Sequence, residues 1–150
     1  MKKIIIYSIL VFIIDFISKV IVSGNLVLNE SLVIINNFFS LTYVKNYGAA
    51  FSILTNQRLF LIIVSIISII LILIYVSKNK VNKKIEIIAY SLLLGGILGN
   101  LYDRIFNGYV IDFFDFTIFD YNFAIFNLAD SFIVIAIILF IIDTFWGDRK

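Results

Sequence analysis

Four apolar stretches constrain this chain more than any motif in it. They fall at about residues 4–22, 58–76, 85–105 and 126–145, and each approaches the roughly 20 residues a helix needs to cross a hydrocarbon core. The clearest, Leu59 to Val76, carries no charge. The first follows Lys2 and Lys3 as a signal peptide would, but it continues past Asp15 to Val22 without a small-residue cleavage site, so a retained helix is expected. With 62% hydrophobic residues and a mean hydropathy of +1.08, the chain is too apolar for a soluble domain. It reads as an all-α membrane protein with four transmembrane helices, and residues 1–150 as a single domain without repeat, linker or low-complexity segment.

Basic residues set the expected orientation. Lys2 and Lys3, the cluster Lys78, Lys80, Lys83 and Lys84, and Arg149 and Lys150 make eight of the twelve Lys and Arg residues. All fall on one side if four helices alternate, which places both termini in the cytoplasm and segments 23–57 and 106–125 outside it. Within the first outer segment, Leu26–Ile35 and Phe38–Val44 are rich in β-formers around a turn at Asn36-Asn37. The second opens on the turn signal Asn107-Gly108. It then carries Tyr109, Phe113, Phe114, Phe116, Phe119, Tyr121 and Phe123, rings that favour the headgroup level, so it is expected to lie on the membrane surface.

Cysteine and histidine are absent, which excludes disulfides, His/Cys zinc sites, thiol nucleophiles and histidine bases. No metal and no cofactor is expected. A net charge of +2 without a basic groove gives no reason to expect nucleic acid. Any chemistry rests on Asp, Glu, Lys, Ser, Thr or Tyr.

Polar side chains interrupt the spans at one level. Asp15, Lys19, Asn100, Arg104, Asn127 and Asp130 all fall toward the outer ends, joined by Asp112 between the last two spans. A charge at membrane depth costs roughly 3 to more than 10 kcal/mol, so several at one level imply a site. Asp15 and Lys19 stand at i, i+4 in the favourable order, which a merely neutralised pair also explains. Asn100 and Arg104 share a face beside Gly95, Gly96 and Gly99; helix packing and a snorkelling arginine are the plainer readings there. Asn127 is explained as a helix cap, but Asp130 lies inside the apolar run. Asp143, beside Trp146, reads as interfacial.

Asp112 and Asp130 flank the segment joining the last two spans, whose ends both return to the outer surface. Two adjacent carboxylates tend to share one proton. The ionised one can then activate water while the protonated one polarises a carbonyl and later donates to the leaving amine. That is peptide hydrolysis without His, Cys or metal. Asp115 is the main alternative to Asp112, with Asp103 and Asp120 also near. Three other readings stay open: a proton- or cation-coupled carrier, a non-catalytic scaffold, and a Ser–Lys hydrolase using Lys19 with Ser18 or Ser131. The last is disfavoured because helical neighbours diverge by about 100°.

Five motifs in order resemble lipoprotein signal peptidase (signal peptidase II), the bacterial membrane aspartyl protease family. They are Asp15-Phe16-Ile17-Ser18-Lys19, Asn46-Tyr47-Gly48-Ala49-Ala50-Phe51, the run from Gly95 to Arg104, Val110-Ile111-Asp112-Phe113, and Phe126-Asn127-Leu128-Ala129-Asp130. The resemblance implies an endopeptidase that removes signal peptides from prolipoproteins, cutting before a diacylglyceryl-modified cysteine in the bacterial cytoplasmic membrane. It implies catalysis by Asp112 and Asp130, with Asn46, Asn100, Arg104 and Asn127 lining the cleft and holding substrate backbone or the pair, Gly48, Ala49 and Ala129 binding substrate or supporting the site, and Asp15 and Lys19 supporting it. It also implies four helices with a small extracytoplasmic β-sheet cradle, a mobile loop over the site and sensitivity to globomycin. A monomer working beside membrane lipid is expected. Many members carry a proline shortly before the last motif, where this chain reads Asn122-Phe123-Ala124-Ile125.

Overall fold

A computed structural model describes residues 1–49, 53–119 and 121–146, apart from the Trp146 side chain. Ala50 and Phe51 of the second motif, Asp120, Arg149 and Lys150 lie outside the described residues. The chain order is α1 (Lys2–Asn25), β1 (Ser31–Ile35), β2 (Phe39–Asn46), α2 (Arg58–Lys78), α3 (Lys84–Phe106), β3 (Val110–Ile118), β4 (Tyr121–Asn122) and α4 (Leu128–Trp146). All four helices are long and apolar enough to cross a membrane, as the four stretches required. The fourth begins two residues later than the apolar pattern suggests. Phe126 bridges to Phe114 in a β-pairing, and Asn127 caps the helix instead of joining it.

Helix α3 is the central one, burying Ala89, Leu94, Gly95, Gly96, Gly99, Asn100 and Asp103. Its glycines are what let α1 and α4 approach. A Cβ at Gly95 would stand 2.5 Å from Val11 Cβ, one at Gly96 2.6 Å from the Ala129 carbonyl, and one at Gly99 would collide with the Asp15 carboxylate. The packing reading of these glycines therefore holds, and Gly99 in addition makes room for a charge. Helix α2 buries Val76 alone and exposes most of its aliphatic surface, as a lipid-facing helix does. At the ends of the bundle opposite the sheet, Ile4, Val76, Val81 and Leu94 form one cluster, and Lys83 meets Asp143 at 3.5 Å.

The strands form one antiparallel sheet in the order β1-β2-β3-β4. Asn37 turns between β1 and β2 at φ 57, a left-handed position that asparagine tolerates. A register shift in β2 between Leu41 and Val44 sets Val44 opposite Asp112 and Asn46 opposite Val110. Segment 106–125, read from the sequence as a loop, is just over half strand, β3 and β4, and its rings divide. Phe113 is buried, Phe114 and Phe116 pack on Phe39 and Phe126, while Phe119 and Tyr121 stay exposed. The division follows depth along the strand: Val110 to Phe113 are buried, Phe114 to Thr117 half-buried and Ile118 exposed.

Adding one methyl group should read out the tight helix contact directly. Gly95→Ala is expected to lower stability by about 1–3 kcal/mol through overpacking against Val11. Gly24→Ala, where a Cβ meets nothing within 4 Å, should be neutral or stabilising by up to about 1 kcal/mol. Thermal unfolding of the two variants in detergent checks both signs.

Candidate active site

The C-terminal end of α3 and the start of α4 carry the site, and a buried cation ties them to α1. Lys19 Nζ lies 2.8 Å from Asp15 Oδ2 and 3.0 Å from Asp103 Oδ2, and it donates to Asn100 Oδ1 at 3.0 Å. Lys19, Asp15 and Asp103 are each at most 2% exposed. An ion cluster this deep is held by its pairing, because removing one partner of such a pair costs about 3–5 kcal/mol. The Asp15–Lys19 pair is thus more than local neutralisation. Asp15 also accepts the Ala129 N–H at 2.9 Å, fixing the first turn of α4 against α1. Asp103, which the sequence reading left among the neighbouring acids, belongs to this support and also accepts the Ile111 N–H at the start of β3. Its signal was present: it lies one turn from Asn100 at the end of the glycine-rich motif.

Three asparagines then connect this cluster to two carboxylates. Each has its carbonyl oxygen occupied by a donor, which decides which way the amide points. The Gly48 N–H donates to Asn46 Oδ1 at 2.9 Å, the Asp130 N–H to Asn127 Oδ1 at 3.0 Å, and Lys19 to Asn100 Oδ1. Every NH₂ group consequently faces an aspartate. Asn46 donates to Asp112 Oδ2 at 2.8 Å, Asn127 to Asp112 Oδ1 at 2.7 Å, and Asn100 to Asp130 Oδ1 at 2.7 Å. Asn127 also links sideways to Asn100 Oδ1 at 3.1 Å.

Asn127 and Asp130 form a reciprocal cap at the start of α4. Asn127 Oδ1 accepts the Asp130 N–H while Asp130 Oδ2 accepts the Asn127 N–H at 3.3 Å. The cap reading of Asn127 was right, but it is only half of what the residue does, since its amide also holds Asp112. Asp130 is half-buried, whereas Asp112 is 2% exposed. Both open onto one cavity of about 550 Å³, which Asn46, Ala49, Asn100 and Arg104 also line. Arg104 donates to the Gly48 carbonyl at 2.9 Å, holding the chain after β2 over this cavity. Ala49 is tied by its carbonyl to Asn46 at 3.1 Å. Asp115 goes elsewhere. Three residues from Asp112 on a strand, it leaves by the opposite face and accepts from Thr42 at 2.7 Å. Among the described residues, no group of His, Cys, Asp and Glu is arranged to hold a metal ion.

Comparison with known proteins places this arrangement. A family model of signal peptidase (SPase) II matches residues 7–146. The chain belongs to the signal peptidase II family. Among relatives named lipoprotein signal peptidase, that of Pasteurella multocida is 42% identical over 142 residues, spanning 92% of this chain and 86% of the relative. That of Clostridium tetani is 42% identical over 151 residues, spanning 97% of each. A bacterial membrane enzyme solved by the in meso method at 2.3 Å resolution superposes with a TM-score of 0.88 at 36% identity, covering 100% of this chain and 94% of that one. As a signal peptidase II, the protein is an aspartic-type membrane peptidase that removes signal peptides, and its four spans make it a multi-pass membrane protein.

Burial, and next the charge of Asp130, push the Asp112 carboxyl up to about 7, against the pull of Asn46, Asn127 and Lys19. Unfolded, the same group ionises near 3.8. Between these values the folded chain keeps a proton that the unfolded chain has released. Stability should therefore fall as pH rises from about 4 to about 7, with no further loss from this group above that. In Asp112→Asn that part of the slope should vanish, as unfolding midpoints measured across this range would show.

Proposed function

We propose that Asp112 and Asp130 are the catalytic pair, and that the whole chain works as one peptidase domain on prolipoproteins whose cysteine carries a diacylglyceryl group. The observation that carries this reading is the pair of carboxylates opening onto one cavity, each held by an asparagine amide of fixed direction. Asp130 is the ionised partner. It sits in the first turn of α4, where the helix field favours negative charge, and accepts two N–H donors. Asp112, more deeply buried beside that charge, carries the proton.

Hydrolysis then runs in two steps. Asp130 takes a proton from a water as its oxygen bonds to the scissile carbonyl carbon, while Asp112 gives its proton to the carbonyl oxygen. In the second step the C–N bond breaks. Asp130 delivers its proton to the leaving amine, and the hydroxyl of the tetrahedral intermediate returns one to Asp112. Asn46, Asn100 and Asn127 hold the carboxylates, Gly48, Ala49 and Arg104 shape the peptide path, and Ala129 lets α1 and α4 close on α3. Asp15 and Lys19 support them from behind.

The same cavity is mostly apolar beyond the carboxylates, walled by Phe123, Ile125, Ile133 and Val134. That wall, formed by α4 and the segment before it, suits the acyl chains of a lipidated cysteine and opens to membrane lipid. Phe123 and Ile125 occupy the stretch where many family members have proline. Both termini lie in the cytoplasm, the site faces the opposite side, and the enzyme acts as a monomer.

Purified enzyme should cleave a diacylglyceryl-modified prolipoprotein, and Asp112→Asn or Asp130→Asn should lower kcat by at least roughly a hundredfold with folding retained. Full activity in either folded variant would remove that residue from the pair. Because the chain lacks cysteine, single cysteines report its orientation. In intact cells, Asn36→Cys should react with a membrane-impermeant thiol reagent and Asn79→Cys should not.

A further inference from the structure

Helix α2 begins with a cation, which its own dipole disfavours. Arg58 is its first residue, with no acid in the first turn to offset it. The side chain instead serves another helix. Arg58 Nε donates to the Arg104 carbonyl at 2.7 Å and Nη2 to the Ile105 carbonyl at 2.9 Å. These are carbonyls of the last turn of α3, which have no partner within the helix. The neighbouring Asp103 carbonyl is taken by the N–H groups of Asn107 and Gly108. A guanidinium at a helix C-terminus satisfies both the geometry and the field there.

The position of these bonds gives them a consequence for the site. Arg104 is gripped at both ends by one connection, the segment between β2 and α2. Its guanidinium holds the Gly48 carbonyl where that segment begins, and its own carbonyl receives Arg58 where the segment ends. Between these points the Ala49 N–H donates to the Ile53 carbonyl at 2.7 Å and the Gln57 N–H to the Leu54 carbonyl at 3.0 Å, so the described parts of the segment are internally tied. Ala49 lines the cavity, and its carbonyl shares the Asn46 amide with Asp112. Gly108, at φ +84, supplies the left-handed turn that ends the helix beside the guanidinium.

We propose that Arg58 is a positioning residue for the peptidase reaction: by clamping the start of α2 to the end of α3, it sets where Gly48 and Ala49 stand above the carboxylates. It touches neither the reacting bond nor Asp112 and Asp130. Its loss should weaken the binding of the peptide beneath that segment and leave the chemical step intact. This inference rests on the catalytic reading given above.

Arg58 is exposed, so its substitution leaves the interior alone. The test uses the full-length enzyme in lipid with a diacylglyceryl prolipoprotein, comparing the unmodified enzyme, Asp112→Asn, Arg58→Gln and Arg58→Lys. Arg58→Gln should raise KM roughly tenfold, as losing charge-assisted bonds to two carbonyls allows, with kcat held within about twofold. Arg58→Lys, which reaches one carbonyl at a time, should fall between. Unchanged KM in Arg58→Gln overturns the proposal, and a lowered melting temperature with that unchanged KM would identify a helix cap and nothing more. Cleavage by the unmodified enzyme and its loss in Asp112→Asn register the catalytic reading separately.

Discussion

Lys19 is the charge around which the sheet-bearing half of the bundle is organised. Its ammonium meets Asp15 from its own helix, Asp103 and Asn100 from α3, and through Asp15 it reaches the first turn of α4. Three helices are thereby held at one level by groups whose burial is tolerable only while all are paired. The glycines of α3 make that closeness sterically feasible, Gly99 above all, since a Cβ there would occupy the place of the Asp15 carboxylate. Packing and electrostatics are therefore one constraint here, and altering either one moves the other.

From that anchor the site is built by deciding orientations. An asparagine amide alone has no preferred sense, yet all three in the site are set by a donor on the oxygen side. The result is a carboxylate pair with unequal surroundings. One member is deep and pushed up by burial and by its neighbour's charge; the other stands at a helix start among N–H donors. Unequal surroundings are what let two identical side chains divide acid and base duties. Asp130 is also part of the reciprocal cap of α4, so the geometry that begins the helix and the geometry of the pair are the same set of bonds.

Much of this was legible in the chain. Span length and hydropathy gave the four helices, β-forming composition and the Asn36-Asn37 turn gave the first hairpin, and polar residues at the span ends marked the site level. The segment from Val110 to Ile118 was harder to read. Its outward and inward aromatics are chemically alike, so composition did not betray the strand, nor that Asp112 and Asp115 leave it by opposite faces. Asp103 and Arg58 were missed for a related reason. Each looks like an ordinary interfacial charge until the helix end it serves is seen.

By itself the sequence determined what could be inside a membrane and which side chains had to be paired there, because both follow from transfer costs that depend on residue type. It also excluded histidine and cysteine chemistry by supplying neither residue. Only the tertiary structure decided which acid pairs with which base and which way each amide turns. It alone decided that Asp112, and not Asp115, shares a cavity with Asp130. Those choices depend on distances between segments remote in the chain, set by the register of β3 on β2 and by the close approach of α1 and α4 to α3.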